Sequence, residues 1–187
     1  MKKIAFVILL STGMIGSEAL AEEHHTLSVG FARSKVEGFK NIRGVNLQYR
    51  YELDSPLGLL TSFTWMKRDE NAVKYLSRDI VTSKIDVNYY SLLAGPAYRL
   101  NDYFSIYALG GFSRTKTGGH YTWVNYGNNY TENGSVDGKS THFAWGTGII
   151  VNPMPNLSFN AGYEGSRAKI DDNYSINGFN VGIGYRF

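Results

Sequence analysis

Hydrophobic and polar side chains alternate along most of this chain with a period of two. In Val45-Asn46-Leu47-Gln48-Tyr49-Arg50-Tyr51-Glu52-Leu53 every odd position is apolar or aromatic and every even one polar or charged. Successive side chains of a strand point to opposite faces, so this segment has one apolar face and one polar face. The same kind of face recurs in Leu27/Val29/Phe31, Leu59/Thr61/Phe63/Trp65, Tyr90 to Leu100, Phe104 to Phe112, Phe143 to Val151, Leu157 to Tyr163, and Phe179 to Phe187. The pattern predicts eight strands of roughly ten residues or more and no amphipathic helix.

Strong turn formers separate the strands at Asp54-Ser55-Pro56, Asn101-Asp102 and Asn152-Pro153-Met154-Pro155-Asn156. Longer polar segments, about 35–42, 67–86, 114–139 and 168–175, fall between these tight turns and read as loops. Short turns alternating with long loops are the habit of an outer-membrane barrel, whose periplasmic turns are short and outer loops long. An even number of strands returns both termini to the periplasm. The predicted fold is therefore all-β: an eight-stranded antiparallel up-and-down transmembrane β-barrel.

Aromatic placement decides which face is inside. With strands running alternately up and down, Tyr51, Tyr98, Phe104, Phe159, Tyr185 and Phe187 fall at one end. Phe31, Trp65, Tyr90, Phe112, Phe143, Trp145 and Phe179 fall at the other, with aliphatic residues between. Two aromatic belts around an aliphatic band mark a wall that faces lipid. The polar face is then the lumen. It carries Arg50, Glu52, Arg99, Glu164 and Arg186, which are expected to form a paired interior charge network, because an unpaired buried charge costs several kcal/mol. Inward Leu60, Leu93, Leu109 and Ile150 predict a partly dry lumen rather than a conducting pore.

Composition narrows the classes further. Of 187 residues 14% are aromatic and 19% charged, which argues against disorder. Mean hydropathy is −0.26, so apolar residues are dispersed rather than gathered into helical spans. Absence of cysteine removes disulfide scaffolds and thiol chemistry, and a net charge of +3 is too mild to indicate a nucleic-acid binder. Met1-Lys2-Lys3, the apolar run Ile4–Leu10 and Ala19-Leu20-Ala21 together read as a secretory signal peptide, residues 1–21, cleaved after Ala21. The barrel domain is then 22–187.

Catalysis finds little support. Outside the signal the only histidines are His24, His25, His120 and His142, none within a His-x-Ser pair, so no base is fixed beside a nucleophile. Adjacent His24 and His25 point apart in an extended chain, a weak metal site. No metal, cofactor or catalytic residue is expected.

Several stretches carry a resemblance: Lys40-Asn41-Ile42-Arg43-Gly44-Val45-Asn46, Tyr49-Arg50-Tyr51-Glu52, Ala94-Gly95-Pro96-Ala97-Tyr98-Arg99, Asn152-Pro153, and the tail from Asn177 to Phe187. Together they resemble the Ail/PagC/OmpX/Lom family of enterobacterial outer-membrane proteins, most closely its PagC-like virulence members. The resemblance covers the barrel and is weakest in the loops. It implies location in the outer membrane of a Gram-negative bacterium and the absence of a cofactor. It also implies activity in attachment, invasion, serum resistance or survival in macrophages. By the same resemblance the terminal Phe187 looks like the signal read by the barrel-assembly machinery.

Candidate contacts lie in the exposed segments. Lys67, Arg68, Lys74, Arg78 and Lys84 are set against Asp69, Glu70, Asp79 and Asp86 in segment 67–86. They read either as a solvated surface or as contacts to lipopolysaccharide or heparan-like glycans, at about 1 kcal/mol per cation near an anionic surface. Tyr121, Trp123 and Tyr126 sit among Gly and Asn, a composition suited to adaptable binding, or pack on one another to hold a protruding hairpin whose edge can recruit a strand. The expected protein is a monomer contacting host cells, serum factors or envelope glycans. Its alternatives are an envelope-structural barrel and a lipid A-modifying enzyme.

Overall fold

The structure is a computed structural model and describes residues 25–38, 40–76, 79–125, 130–169 and 173–187. The expected signal segment and Ala21 lie outside them. Among the described residues the chain forms eight strands: β1 (His25–Val36), β2 (Ile42–Glu52), β3 (Leu57–Leu76), β4 (Asp79–Arg99), β5 (Phe104–Asn125), β6 (Tyr130–Met154), β7 (Leu157–Lys169) and β8 (Asn173–Arg186). Each pairs antiparallel with its neighbours in sequence, and β8 pairs with β1 to close a barrel.

Register follows from the alternation. Val29, Leu47, Phe63, Leu92, Phe112 and Phe143 face one another across β1 to β6 and form one outward row. Leu92, Phe112 and Phe143 are 64%, 67% and 63% exposed, whereas Arg50 and Glu52 are 3% exposed. A one-residue slip in any pair would turn the charges outward and the apolar residues inward. An apolar belt around the whole wall far exceeds the few hundred Å² that water-soluble monomers expose, so its solvent is hydrocarbon.

The lumen is packed. Ala32, Ile42, Met66, Tyr89 and Ile176 belong to one buried apolar cluster, and Leu60, Leu93, Leu109 and Ile150 to a second. Eight strands leave an interior that side chains fill, and here they do. The turns at the periplasmic end use the residues expected of them. Asn101 Oδ1 accepts from the backbone N–H of Tyr103 and Phe104 at 2.9 and 2.8 Å, an Asx turn. The β6–β7 register breaks between Val151 and Met154, where Pro153 has no N–H for the ladder. At the other end the β1–β2 turn places Gly38 at φ 71°, which favours glycine.

Candidate functional site

The described residues of segments 67–86 and 114–139 are paired strands and not free loops. β3 pairs with β4 as far as Leu76↔Asp79, β4 with β5 to Asp79↔Asn125, and β5 with β6 to Asn125↔Tyr130. Pairing of β2 with β3 stops at Arg43↔Lys67, and of β6 with β7 at Ala144↔Ser166. A four-stranded sheet, β3 to β6, therefore stands beyond the shorter wall, with the upper parts of β3 and β6 as its edges. Polar sequence marked where the chain leaves lipid, but leaving lipid does not end a hydrogen-bonded ladder.

The outer face of this region is banded by charge. One ladder step beyond Phe31, Val45, Trp65 and Tyr90, the residues Arg33, Arg43, Lys67, Asn88, Lys116 and Lys139 face one another in register across six strands. All but the half-buried Asn88 are exposed. Lys116 Nζ sits 5.8 Å from the centre of the Tyr90 ring, within cation–π range. Like charges directly opposite in a sheet are destabilising, and three such pairs occur here: Arg33↔Arg43, Arg43↔Lys67 and Lys116↔Lys139. Lys67 is relieved by Asp69 at 3.1 Å. Arg33 and Arg43 make no ion pair among the described residues. The next row outward is acidic: Asp69, Asp86 and Asp137, with Gly118 between the last two. A Cβ on Gly118 would lie 2.9 Å from the Asp86 carboxylate. This row bounds the cationic one sharply.

The expected contact residues are thereby distributed. Lys67 belongs to the cationic row. Lys84 is exposed and lies between Asn71 and His120 on the outer face. Arg68 faces the other way; its guanidinium donates to Glu70 Oε2 at 2.9 Å and to the Asn41 carbonyl at 3.3 Å. Glu70 also receives Lys40, so Lys40, Glu70 and Arg68 tether the β1–β2 connection to the edge of β3. Lys74 lies in β3; Arg78 and Tyr126 fall outside the described residues. Tyr121 and Trp123 share the inner face of the sheet, opposite Gly134 and Glu132 on β6. A Cβ on Gly134 would fall on the Tyr121 ring, so that aromatic lies against the edge strand and covers its glycine. Sequence reasoning missed Arg33, Arg43, Lys116 and Lys139. Their signal was a cation two or four residues beyond a lipid-facing position, on the same face.

The lumenal charges form two groups, not one. Glu52 is the hub of the first: Arg50 meets it at 2.5 Å, Arg186 Nε at 2.8 Å and Arg99 more distantly at 3.9 Å. Arg50 also donates to Ser105 Oγ at 3.0 Å. Glu164 stands apart from the arginines. It accepts from Thr64 Oγ1 at 2.9 Å and from the Tyr89 hydroxyl at 2.7 Å, which also contacts Ser166 Oγ at 3.1 Å. Eight strands bring these residues to one lumen but at different heights, which alternation alone does not reveal. No His, Asp or Glu cluster suited to a metal occurs among the described residues. His25 Nδ1 instead meets the Tyr49 hydroxyl at 2.7 Å, and its ring stacks on Phe187 at 5.8 Å. Reciprocal backbone bonds between His25 and Phe187, 3.0 and 2.8 Å, close the barrel seam at its base.

An exposed apolar girdle, a packed charged lumen and a charge-banded outer sheet define an outer-membrane β-barrel. The family model "Enterobacterial Ail/Lom protein" matches residues 1–187, and the chain belongs to that family. Virulence membrane protein PagC of Salmonella typhimurium is 39% identical over 186 residues, covering 98% of each chain. The crystal structure of Ail, the attachment invasion locus protein of Yersinia pestis, superposes with a TM-score of 0.65 at 33% identity, covering 89% of this chain and all of that one. Ail in complex with the heparin analogue sucrose octasulfate matches at 34% identity and a TM-score of 0.64, over 88% of this chain and 99% of that one. The protein resides in the outer membrane, and the names of these relatives are those of virulence and attachment proteins rather than enzymes.

Proposed function

We propose that the protein attaches by gripping anionic saccharides with Arg33, Arg43, Lys67, Lys116 and Lys139, while the β3–β6 sheet presents Lys84, Tyr121 and Trp123 to the host surface. The observation that carries this reading is the row of facing like charges. Such a row stores repulsion unless anions lie against it, and each cation near an anionic surface contributes about 1 kcal/mol. The shared ligand chemistry is a phosphorylated or sulfated sugar, found in lipopolysaccharide beside the barrel and in heparin-like host glycans. The sucrose octasulfate complex of Ail supports the second source.

The remaining parts serve display. No catalytic step is invoked, and lipid A mass spectra are expected to be identical with and without the protein. The barrel acts as a monomer and requires no cofactor, residues 1–21 leave after Ala21, and Phe187 is read by the assembly machinery. The test is a variant carrying Arg33→Gln, Arg43→Gln, Lys116→Gln and Lys139→Gln, measured separately on heparin surfaces and on lipopolysaccharide-containing bilayers. At least about a tenfold loss is expected in one or both arms, shrinking with added salt. Unchanged affinity in both arms contradicts the proposal. Attachment that survives both this variant and replacement of the sheet tips would point to an envelope-structural role.

A further inference from the structure

The lumen ends in a blind pocket on its periplasmic side. A cavity of about 420 Å³ lies there, its lining including Arg99, Asp102, Tyr103, Asn152, Met154 and Arg186. That volume is in the range of small-molecule sites, roughly 300–1,000 Å³. Ala97 and Ile150 are the inward residues next above Arg99 and Asn152 on β4 and β6. Both belong to the buried apolar cluster with Leu60, Leu93 and Leu109, which closes the lumen above the cavity. Backbone bonds fix the rim. The Asn152 N–H donates to the Tyr103 carbonyl at 2.8 Å, joining the β4–β5 and β6–β7 turns, and the Arg186 N–H donates to the Asn156 carbonyl at 3.0 Å.

Its polar groups converge because they share the lumenal face and one height. Arg99 Nη1 and Arg186 Nε reach the same Glu52 carboxylate, at 3.9 and 2.8 Å, so the two guanidiniums stand side by side. Arg50 already engages that carboxylate at 2.5 Å. Arg99 is therefore the loosest member of the hub, and its side chain stays 35% exposed at the cavity. Asn152 is 4% exposed, yet its Oδ1 accepts no hydrogen bond among the described residues. A buried acceptor left unpaired is costly and calls for a donor. The cavity thus offers one occupant an under-used guanidinium and an orphaned acceptor, and that occupant must bring an anion and an N–H together. Asp102 stands exposed at the rim, where it disfavours a purely anionic guest and favours a cationic group.

We infer that this mouth binds a short zwitterionic peptide from the periplasmic side, its carboxylate on the Arg99 guanidinium beside Arg186, its peptide N–H on Asn152 Oδ1 and its ammonium end toward Asp102. The planar guanidinium fork matches a carboxylate. Acetate supplies the anion without the N–H, and an amidated peptide supplies the N–H without the anion, so neither satisfies both groups. The site shares no residue with the cationic row and lies at the opposite end of the barrel. It therefore stands whether or not that row grips saccharides.

Nuclear magnetic resonance of the folded barrel in detergent micelles, titrated with L-alanyl-L-alanine, tests this. Saturable shifts are expected at the Asn152 side-chain amide, at Arg99 Nε and at neighbouring backbone amides. Affinity should fall about tenfold or more in Arg99→Gln, the scale of a charge-assisted hydrogen bond, and about threefold or more in Asn152→Ala, the scale of a neutral one. On the unaltered protein, L-alanyl-L-alanine amide should bind about tenfold or more weaker than the dipeptide, and acetate about threefold or more weaker. Circular dichroism checks the folding of both variants, and the two analogue arms need no substitution. Acetate binding as tightly as the dipeptide would mean a simple anion site and overturn the inference. Unchanged affinity in folded Arg99→Gln or Asn152→Ala, or no saturable shift with the dipeptide, would overturn it as well.

Discussion

Two buried glutamates show how much a side chain's partners matter. Glu52 lies against Arg50 and Arg186, and removal of one partner from a buried ion pair costs about 3–5 kcal/mol because the charge left behind is uncompensated. Glu164 is held by hydroxyl donors from Thr64 and Tyr89, and a neutral amide can occupy its place at a cost of about 1 kcal/mol. Equilibrium urea unfolding in lipid vesicles should therefore find Glu52→Ala far more damaging than Glu164→Gln. Equal losses would mean that the two groups are one coupled network. Alternation in sequence identified both as inward-facing, but which inward charges meet depends on register across strands far apart in the chain.

Tethers and coverings govern the protruding elements. The Glu70 carboxyl titrates below its ordinary 4.5 because Lys40, then Arg68, hydrogen-bonds its charged form. A lowered folded value means the tether is complete at neutral pH, survives below the ordinary carboxylate range, and is lost as pH falls through that lowered value. Amide exchange in the β1–β2 connection should rise over that acid interval, and Glu70→Gln should produce the same rise at pH 7; flat exchange in both would remove the tether. At the other edge Gly134→Val should displace Tyr121 and speed exchange in the β5–β6 hairpin tip by about tenfold, with barrel stability unchanged. An unaltered tip would show that the ring does not support the strand. The sequence pattern marked the strands inside the membrane well, because hydrocarbon enforces alternation there. It misread 67–86 and 114–139 because outside lipid both faces of a strand are wet and the alternation fades, although Ile80-Val81-Thr82 and Tyr121-Thr122-Trp123 carry strand-forming side chains.

For the whole molecule, inversion was legible from aromatic sorting: Trp65 and Trp145 predicted a lipid-facing wall, and both are outward and exposed. The cationic row was not legible, since its five side chains come from five strands and meet only through register. The three tryptophans divide the molecule usefully, with Trp65 and Trp145 on the wall and Trp123 on the inner face of the protruding sheet. Single-tryptophan variants folded into bilayers of acyl-chain-brominated lipid report directly which face meets hydrocarbon. Strong quenching of Trp65 and Trp145 with Trp123 nearly unquenched is the predicted result. Quenching of Trp123 with Trp65 and Trp145 spared would contradict the inverted barrel.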